Sequence, residues 1–148
     1  MISIAETVQI DAPVRTVFEY MDDPRNHVEV TPSLSEVSDI EPLENGGKRV
    51  SHTYRMAGVG LEGELVQTTH KEDALMTFEM HGALEGEIRL RFRELGEDRT
   101  ELTYEADYEL PETVLASVTA PFVRIYNERE LRTTLENVKS RLELDAQG

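Results

Sequence analysis

His52 and Tyr54 stand two residues apart in a stretch that alternates apolar and polar residues. On a β-strand, side chains at i and i+2 leave the same face. Gln67, on the following strand, joins that face. An imidazole and a phenol inside an apolar pocket can carry protons to and from an enolisable ketone. The same polar tips can equally bond to one another, to backbone or to water in a partly wet core. The sequence leaves both readings open. The central strands place no Asp or Glu on the inward parity, and Glu36 is the one carboxylate whose register leaves its direction undecided.

Other chemistries lack their residues. The chain has no cysteine, hence no thiolate nucleophile, disulfide or thiolate metal ligand. His27, His52, His70 and His81 do not converge: strand parity sends His70 and His81 outward and His52 inward, and His27 falls on a helix. Neither H-E-x-x-H nor an Asp-x-Asp calcium loop is present, so the expectation is a site without metal or cofactor. No G-x-S-x-G elbow exists for an activated serine. Gly58-Val59-Gly60-Leu61-Glu62-Gly63 matches a G-x-G-x-x-G but spans a hairpin and opens no helix, so it reads as a turn.

The elements that position these residues follow from periodicity. The first strand is Ile2 to Ile10, with Ile2, Ile4, Val8 and Ile10 on one face. Asp11-Ala12-Pro13 opens a helix with Asp11 as its expected N-cap and Val14, Val17, Phe18 and Met21 as its stripe. Asp22-Asp23-Pro24 breaks it, and a short second helix spans 25–30. Six strands follow, near 34–43, 48–57, 60–72, 75–82, 86–95 and 99–110, separated by turn signals. Ile88, Leu90 and Phe92 alternate with Arg89, Arg91 and Arg93; Leu102, Tyr104, Ala106 and Tyr108 alternate with a mostly acidic row. One face is therefore buried and the other charged, with the arginine and acidic rows as cross-strand neighbours.

Turn lengths predict registers. A two-residue turn at Gly58-Val59 sets Met56 opposite Leu61, Tyr54 opposite Gly63 and His52 opposite Leu65. A turn at Asp73-Ala74 sets Gln67 opposite Met80 and Thr69 opposite Phe78, and three-residue loops set Met80 opposite Ile88 and Phe92 opposite Leu102. All these pairs share the apolar face, and a one-residue slip would turn that face to water. From 111 to 144 the chain reads as helical, with two stripes about half a turn apart. Leu115, Val118, Phe122 and Ile125 form one; Leu131, Leu135, Val138 and Leu142 form the other. Either the helix is interrupted near Thr119-Ala120-Pro121, with Thr119 as a new N-cap and Pro121 supplying the reason, or its early part carries a second apolar face.

This order of elements resembles the helix-grip fold of the START-like (SRPBCC) superfamily, which includes lipid-transfer domains, polyketide cyclases/dehydrases and coenzyme-Q-binding proteins. The local resemblance lies in Ile10-Asp11-Ala12-Pro13, Val17-Phe18 and Asp23-Pro24 after the first strand, and in Leu135 to Glu143 at the end. The resemblance covers essentially the whole chain and implies one α+β domain over 1–148. In it a seven-stranded curved antiparallel sheet wraps a long C-terminal helix, with two short helices after strand 1. It also implies a cavity between sheet and helix that takes a small hydrophobic or aromatic molecule. The concave face would offer His52, Tyr54, Met56, Gln67, Phe78, Met80, Leu90, Tyr104 and Tyr108, with Ile40, Val50, Leu65 and Ile88 around them. The helical segment would add Val118, Phe122, Ile125 and Tyr126. A carrier of a quinone, polyketide or lipid-like molecule is the first reading; a cyclase/dehydrase using His52 and Tyr54 is the second. A protein-interaction role would use the face from Leu115 to Ile125. Monomer and homodimer both remain compatible.

Charge narrows the partners. Thirty Asp and Glu against fifteen Lys and Arg give a net charge of −15 in 148 residues. Such a field repels nucleic acid and anionic membrane surfaces alike. No apolar run approaches the ~20 residues of a membrane span. The opening Met1-Ile2-Ser3-Ile4-Ala5-Glu6 has no basic stretch, which predicts no secretory signal and a cytoplasmic protein. Only three cations are lysines (Lys48, Lys71, Lys139) and twelve are arginines. An acidic, lysine-poor chain resembles the cytoplasmic proteins of salt-loving microbes. Self-repulsion opposes compactness unless ions screen it. The melting temperature is therefore expected to rise between about 0.1 M and about 2 M NaCl, followed by circular dichroism; a fall over that range would contradict this reading of the composition.

Overall fold

Strand alternation and helix breakers account for nearly every element of the computed structural model, which describes residues 1–56, 58–115 and 120–147. β1 (Ile2–Ile10) is followed by α1 (Val14–Asp22) and α2 (Pro24–Val30). Six strands come next: β2 (Leu34–Pro42), β3 (Lys48–Met56), β4 (Val59–Lys71), β5 (Leu75–Gly82), β6 (Glu85–Gly96) and β7 (Arg99–Glu109). A single turn, α3 (Glu112–Leu115), precedes the long α4 (Ala120–Gln147). The strands form one seven-stranded antiparallel sheet in the order β1-β7-β6-β5-β4-β3-β2. This is the helix-grip arrangement, with α4 lying against β1 and α2.

The local signals work mostly as expected. Asp23 caps α2, its carboxylate accepting from the Arg25 amide at 3.0 Å, and Pro24 takes the first helical position. Asp11 does not cap α1. Pro13 occupies the N-cap position without a side-chain bond, and Asp11 instead holds Arg99 at 3.2 Å. On the outer face Arg89 binds Asp107 at 2.7 Å, Arg91 binds Glu105 at 2.5 Å and Arg93 binds Glu101 at 3.2 Å, the predicted cross-strand rows.

Three of the four tested registers differ from expectation by two residues. Tyr54 faces Leu61 and His52 faces Gly63; Gln67 faces Phe78; Phe78, not Met80, faces Ile88. Phe92 does face Leu102. An even shift leaves every side chain on its own face, so hydrophobic parity cannot detect it. A bulge between Gln67 and Thr69 does change parity. Beyond it His70 points inward, packed edge-on against Phe18 at 5.3 Å, with Nε2 3.0 Å from Asp22. This corrects the outward assignment of His70, while His81 is exposed as expected, 3.3 Å from Glu79. β2 carries similar irregularities: Asp39 has φ 51°, Ile40 is exposed beyond it, and Glu36 also faces solvent.

Within α4 the buried residues form one stripe. Val123, Leu131, Leu135, Val138 and Leu142 are buried, with Asn127 and Thr134 between them on the same side. Pro121 lies in the first turn of α4, as its φ preference allows. Thr119 and Val118 lie outside the described residues. Phe122 and Ile125 are 64% and 54% exposed. Phe122 and Ile125 do not face the sheet because the phase of α4 is set by Val123, Asn127 and Leu131, which leaves them on the far side.

Two glycines set the close approach of β4 to β5. A Cβ at Gly63 would stand 2.5 Å from the His81 carbonyl and 3.2 Å from His52 Cε1. Gly82, at φ +116°, would place one 2.7 Å from the Gly63 Cα. Gly60 has open space around it. Gly63→Ala is expected to cost about 2 kcal/mol or more in urea unfolding, against about 0.5 kcal/mol or less for Gly60→Ala. Equal effects would show that the approach of β4 to β5 is not tight.

Candidate functional site

Two small cavities lie on the concave side of the sheet. The larger, about 70 Å³, is bounded by Tyr54, Met56, Met80, Leu84, Ile88, Tyr104, Ala106 and Tyr108 of the sheet side. Asn127, Glu130, Leu131 and Thr134 of α4 close it from above, with Thr31 and Ser33 of the α2–β2 loop at its side. The second, about 40 Å³, is bounded by Val50, Leu65, Gln67, Phe78 and Leu90 and by Met21, Asp22, His27 and Lys48 at its polar end. Tyr54, Ile88 and Tyr104 border both and form the partition between them.

The expected residues divide accordingly. Tyr54, Met56, Met80, Tyr104 and Tyr108 border the larger cavity; Gln67, Phe78 and Leu90 border the second. Phe122 and Tyr126 border neither, being 64% and 48% exposed on the outer side of α4. His52 is inward and 3% exposed, yet it also borders neither cavity. Its ring lies 4.9 Å from that of Tyr54, in the space that the absence of a side chain at Gly63 leaves. Both of its nitrogens lack a hydrogen-bond partner among the described residues. Gln67 accepts from the Lys48 amide at 3.0 Å, while its buried Nε2 has no such partner.

Two polar residues of the site, Asn127 and Glu130, escape the sequence reading. Asn127 Nδ2 donates to the Tyr108 hydroxyl oxygen. That leaves the Tyr108 proton free to be donated elsewhere. Glu130 Oε1 accepts from the Ser33 amide, which fixes the carboxylate, and Oε2 is buried without a hydrogen-bond partner among the described residues. The available signal was the stripe Leu131, Leu135, Val138 and Leu142: one turn back along it lies Asn127, with Glu130 beside Leu131.

Electrostatics keep the phenols protonated. Burial pushes the Tyr54 hydroxyl up to about 12, helped by the negative charge of Glu130. Burial raises Tyr108 to about 12 as well, against the opposing bond from Asn127. Tyr104 is raised well above the usual phenol value by burial and by its two tyrosine neighbours. The larger cavity therefore presents three neutral hydroxyls and one carboxylate on an otherwise apolar wall. The other histidines have structural partners: His27 Nε2 sits 2.7 Å from the Met21 carbonyl, and His70 lies with Lys48 around Asp22. Among the described residues no group of His, Asp and Glu is gathered as a metal site, and no helix is long and apolar enough to cross a membrane.

Burial drives the His52 imidazole down to about 4, so it stays neutral where an exposed imidazole would charge. The unfolded chain then takes up a proton near pH 6.5 that the folded chain refuses, and stability falls as pH drops from about 6.5 towards 4. This loss amounts to about 3 kcal/mol. His52→Leu is expected to remove that portion of the pH dependence in denaturant titrations. An unchanged pH profile would show that His52 is not held neutral.

Comparison with known proteins agrees with this architecture. The profile of the family described as "Polyketide cyclase / dehydrase and lipid transport" matches residues 1–143. Among proteins with curated functions, none matches the chain. A START superfamily protein of Mycobacterium smegmatis superposes with a TM-score of 0.78 at 16% identity, covering 97% of this chain and 99% of that one. A Thermus thermophilus protein gives 0.83 at 15% identity over 99% of both chains. The Zhui aromatase/cyclase of Streptomyces sp. R1128 gives 0.75 at 18% identity over 95% of this chain and 93% of its own. With a family match over nearly its full length and the same fold in these structures, the chain belongs to the polyketide cyclase/dehydrase and lipid-transport family.

Proposed function

We propose that the protein binds a small hydrophobic or aromatic molecule bearing oxygen functions, held between the sheet and α4. The observation that carries this reading is the pair of apolar cavities that share Tyr54, Ile88 and Tyr104 as lining residues. At about 70 Å³ and 40 Å³, each is small beside the ~300–1,000 Å³ of an ordinary ligand pocket. A ring-sized ligand needs the two joined, and in this reading the Tyr54 and Tyr104 rings turn aside to admit it. The apolar walls supply affinity, and the phenol hydroxyls select a molecule with acceptor oxygens in place. A polyketide, a quinone or a phenolic ring fits that chemistry.

A second reading, in which the bound molecule is also transformed, is supported by the family and by the aromatase/cyclase neighbour. The acid–base groups that border the larger cavity are Tyr54, Tyr104, Tyr108 and Glu130, and His52 is set back from it. The acid–base pair expected from sequence, His52 and Tyr54, is therefore replaced in this reading.

Titration calorimetry with 1-naphthol tests the binding site. Ala106 borders the larger cavity, and Ala106→Leu, checked for retained fold by circular dichroism, is expected to weaken binding at least about ten-fold by filling it. Equal binding by the variant, or no binding by the parent protein, would overturn the assignment.

A further inference from the structure

One carboxylate, Glu130, borders the larger cavity, and among the described residues no Lys, Arg or His borders it. The second cavity differs. Its Asp22 carboxylate is answered by basic side chains, His70 at 3.0 Å and Lys48 at 3.6 Å. Glu130 is held by backbone instead. Its Oε1 accepts from the Ser33 amide, and its Oε2 is buried without a hydrogen-bond partner among the described residues. A buried carboxylate oxygen without a donor is costly, and a ligand that brings the donor removes that penalty.

We infer that the larger cavity takes the protonated amine of its ligand, with the Glu130 carboxylate as counter-ion. The inference rests on the ligand-binding reading above and adds a cationic nitrogen to the oxygen functions named there. A neutral hydroxyl on the ligand would give Oε2 a hydrogen bond and leave its charge uncompensated beside an apolar wall. An ammonium N–H gives Oε2 a charge-assisted bond and neutralises it. The surrounding phenols supply no such charge, since Tyr54, Tyr104 and Tyr108 are held protonated and neutral by burial. Their rings favour the same occupant, because aromatic faces attract a cation.

Size, mounting and field agree with this occupant. At about 70 Å³ the cavity has room for a small head group such as aminomethyl. The body of the ligand then takes the space opened at Tyr54 and Tyr104. The Ser33 amide fixes the carboxylate, and the Glu130 carbonyl accepts from Thr134 Oγ1 at 2.9 Å within α4. A counter-ion fixed in advance loses little freedom on binding. The net charge of −15 draws cations towards the protein and repels anions.

Titration calorimetry near neutral pH with 1-naphthylmethylammonium and its neutral isostere 1-naphthylmethanol tests the inference. About 0.5 M NaCl screens the general field of the protein. The parent protein is expected to bind the ammonium ion at least about ten-fold more tightly than the alcohol. Glu130→Gln keeps an acceptor for the Ser33 amide; it is expected to bind the alcohol as the parent does and to lose the preference. Glu136→Gln removes the same charge from an exposed position of α4 and is expected to keep the preference. Equal affinity of the parent for the two probes overturns the amine class and leaves the binding reading standing; that comparison needs no variant. A preference that survives Glu130→Gln, or that Glu136→Gln abolishes equally, overturns the assignment of the counter-ion. So does loss of the alcohol by Glu130→Gln with its fold confirmed by circular dichroism. Absence of binding by both probes overturns the inference and the binding reading together.

Discussion

A seven-stranded sheet spans roughly 29 Å across its strands, while a helix with its side chains is about 10–12 Å wide. One helix cannot fill the hollow of such a sheet. Here α4 packs chiefly along β1, α1 packs on β6 and β7, and α2 meets β2 and α4. Close packing covers the edges, and the middle is left to whatever side chains can reach across it. Tyr54, Tyr104 and Tyr108 are long side chains available there; Tyr54 and Tyr104 border both cavities and Tyr108 the larger one, and together they do not fill the hollow. Both cavities are consequences of that mismatch between sheet width and helix width.

Filling a hollow with tyrosine brings polar atoms into an apolar place. Each buried hydroxyl needs a partner or a reason to lack one. Asn127 serves Tyr108 from the stripe of α4 that otherwise carries Val123, Leu131 and Leu135. Glu130 enters from the same helix, and its charge raises the phenols further. The protein carries −15 overall, yet this carboxylate is tied to a backbone amide and not to an arginine. Arg89, Arg91 and Arg93 are engaged on the outer face, where they meet the acidic row of β7. These arginines are thus engaged outside, while the inner face keeps a carboxylate with one oxygen unengaged.

The strands and their faces were legible because period-two alternation is a strong signal, and Tyr104 and Tyr108 were placed inward on that ground alone. Registers were not, since a shift of two residues, as at Tyr54 against Leu61, costs parity nothing. The bulge at Gln67–Thr69 was invisible for the opposite reason: it changes parity, and His70 turned inward with it. The phase of α4 misled most about the site. Phe122 and Tyr126 are the large apolar and aromatic residues near its start, but the inward stripe runs through Asn127 and Glu130. A search for apolar residues passes over polar ones set among them. His52 was correctly turned inward, and its distance from both cavities depends on the β3–β4 register that alternation could not supply.

The central claim is that a ligand enters against the tyrosine partition. Fluorine NMR of the protein labelled with 3-fluorotyrosine addresses it directly, because the chain has only five tyrosines and each has a distinct place. On titration with 1-naphthol, the resonances of Tyr54, Tyr104 and Tyr108 are expected to move while that of Tyr20, on α1, stays fixed. Shifts confined to Tyr20 or to Tyr126 would place the ligand outside the sheet–helix hollow and contradict the account.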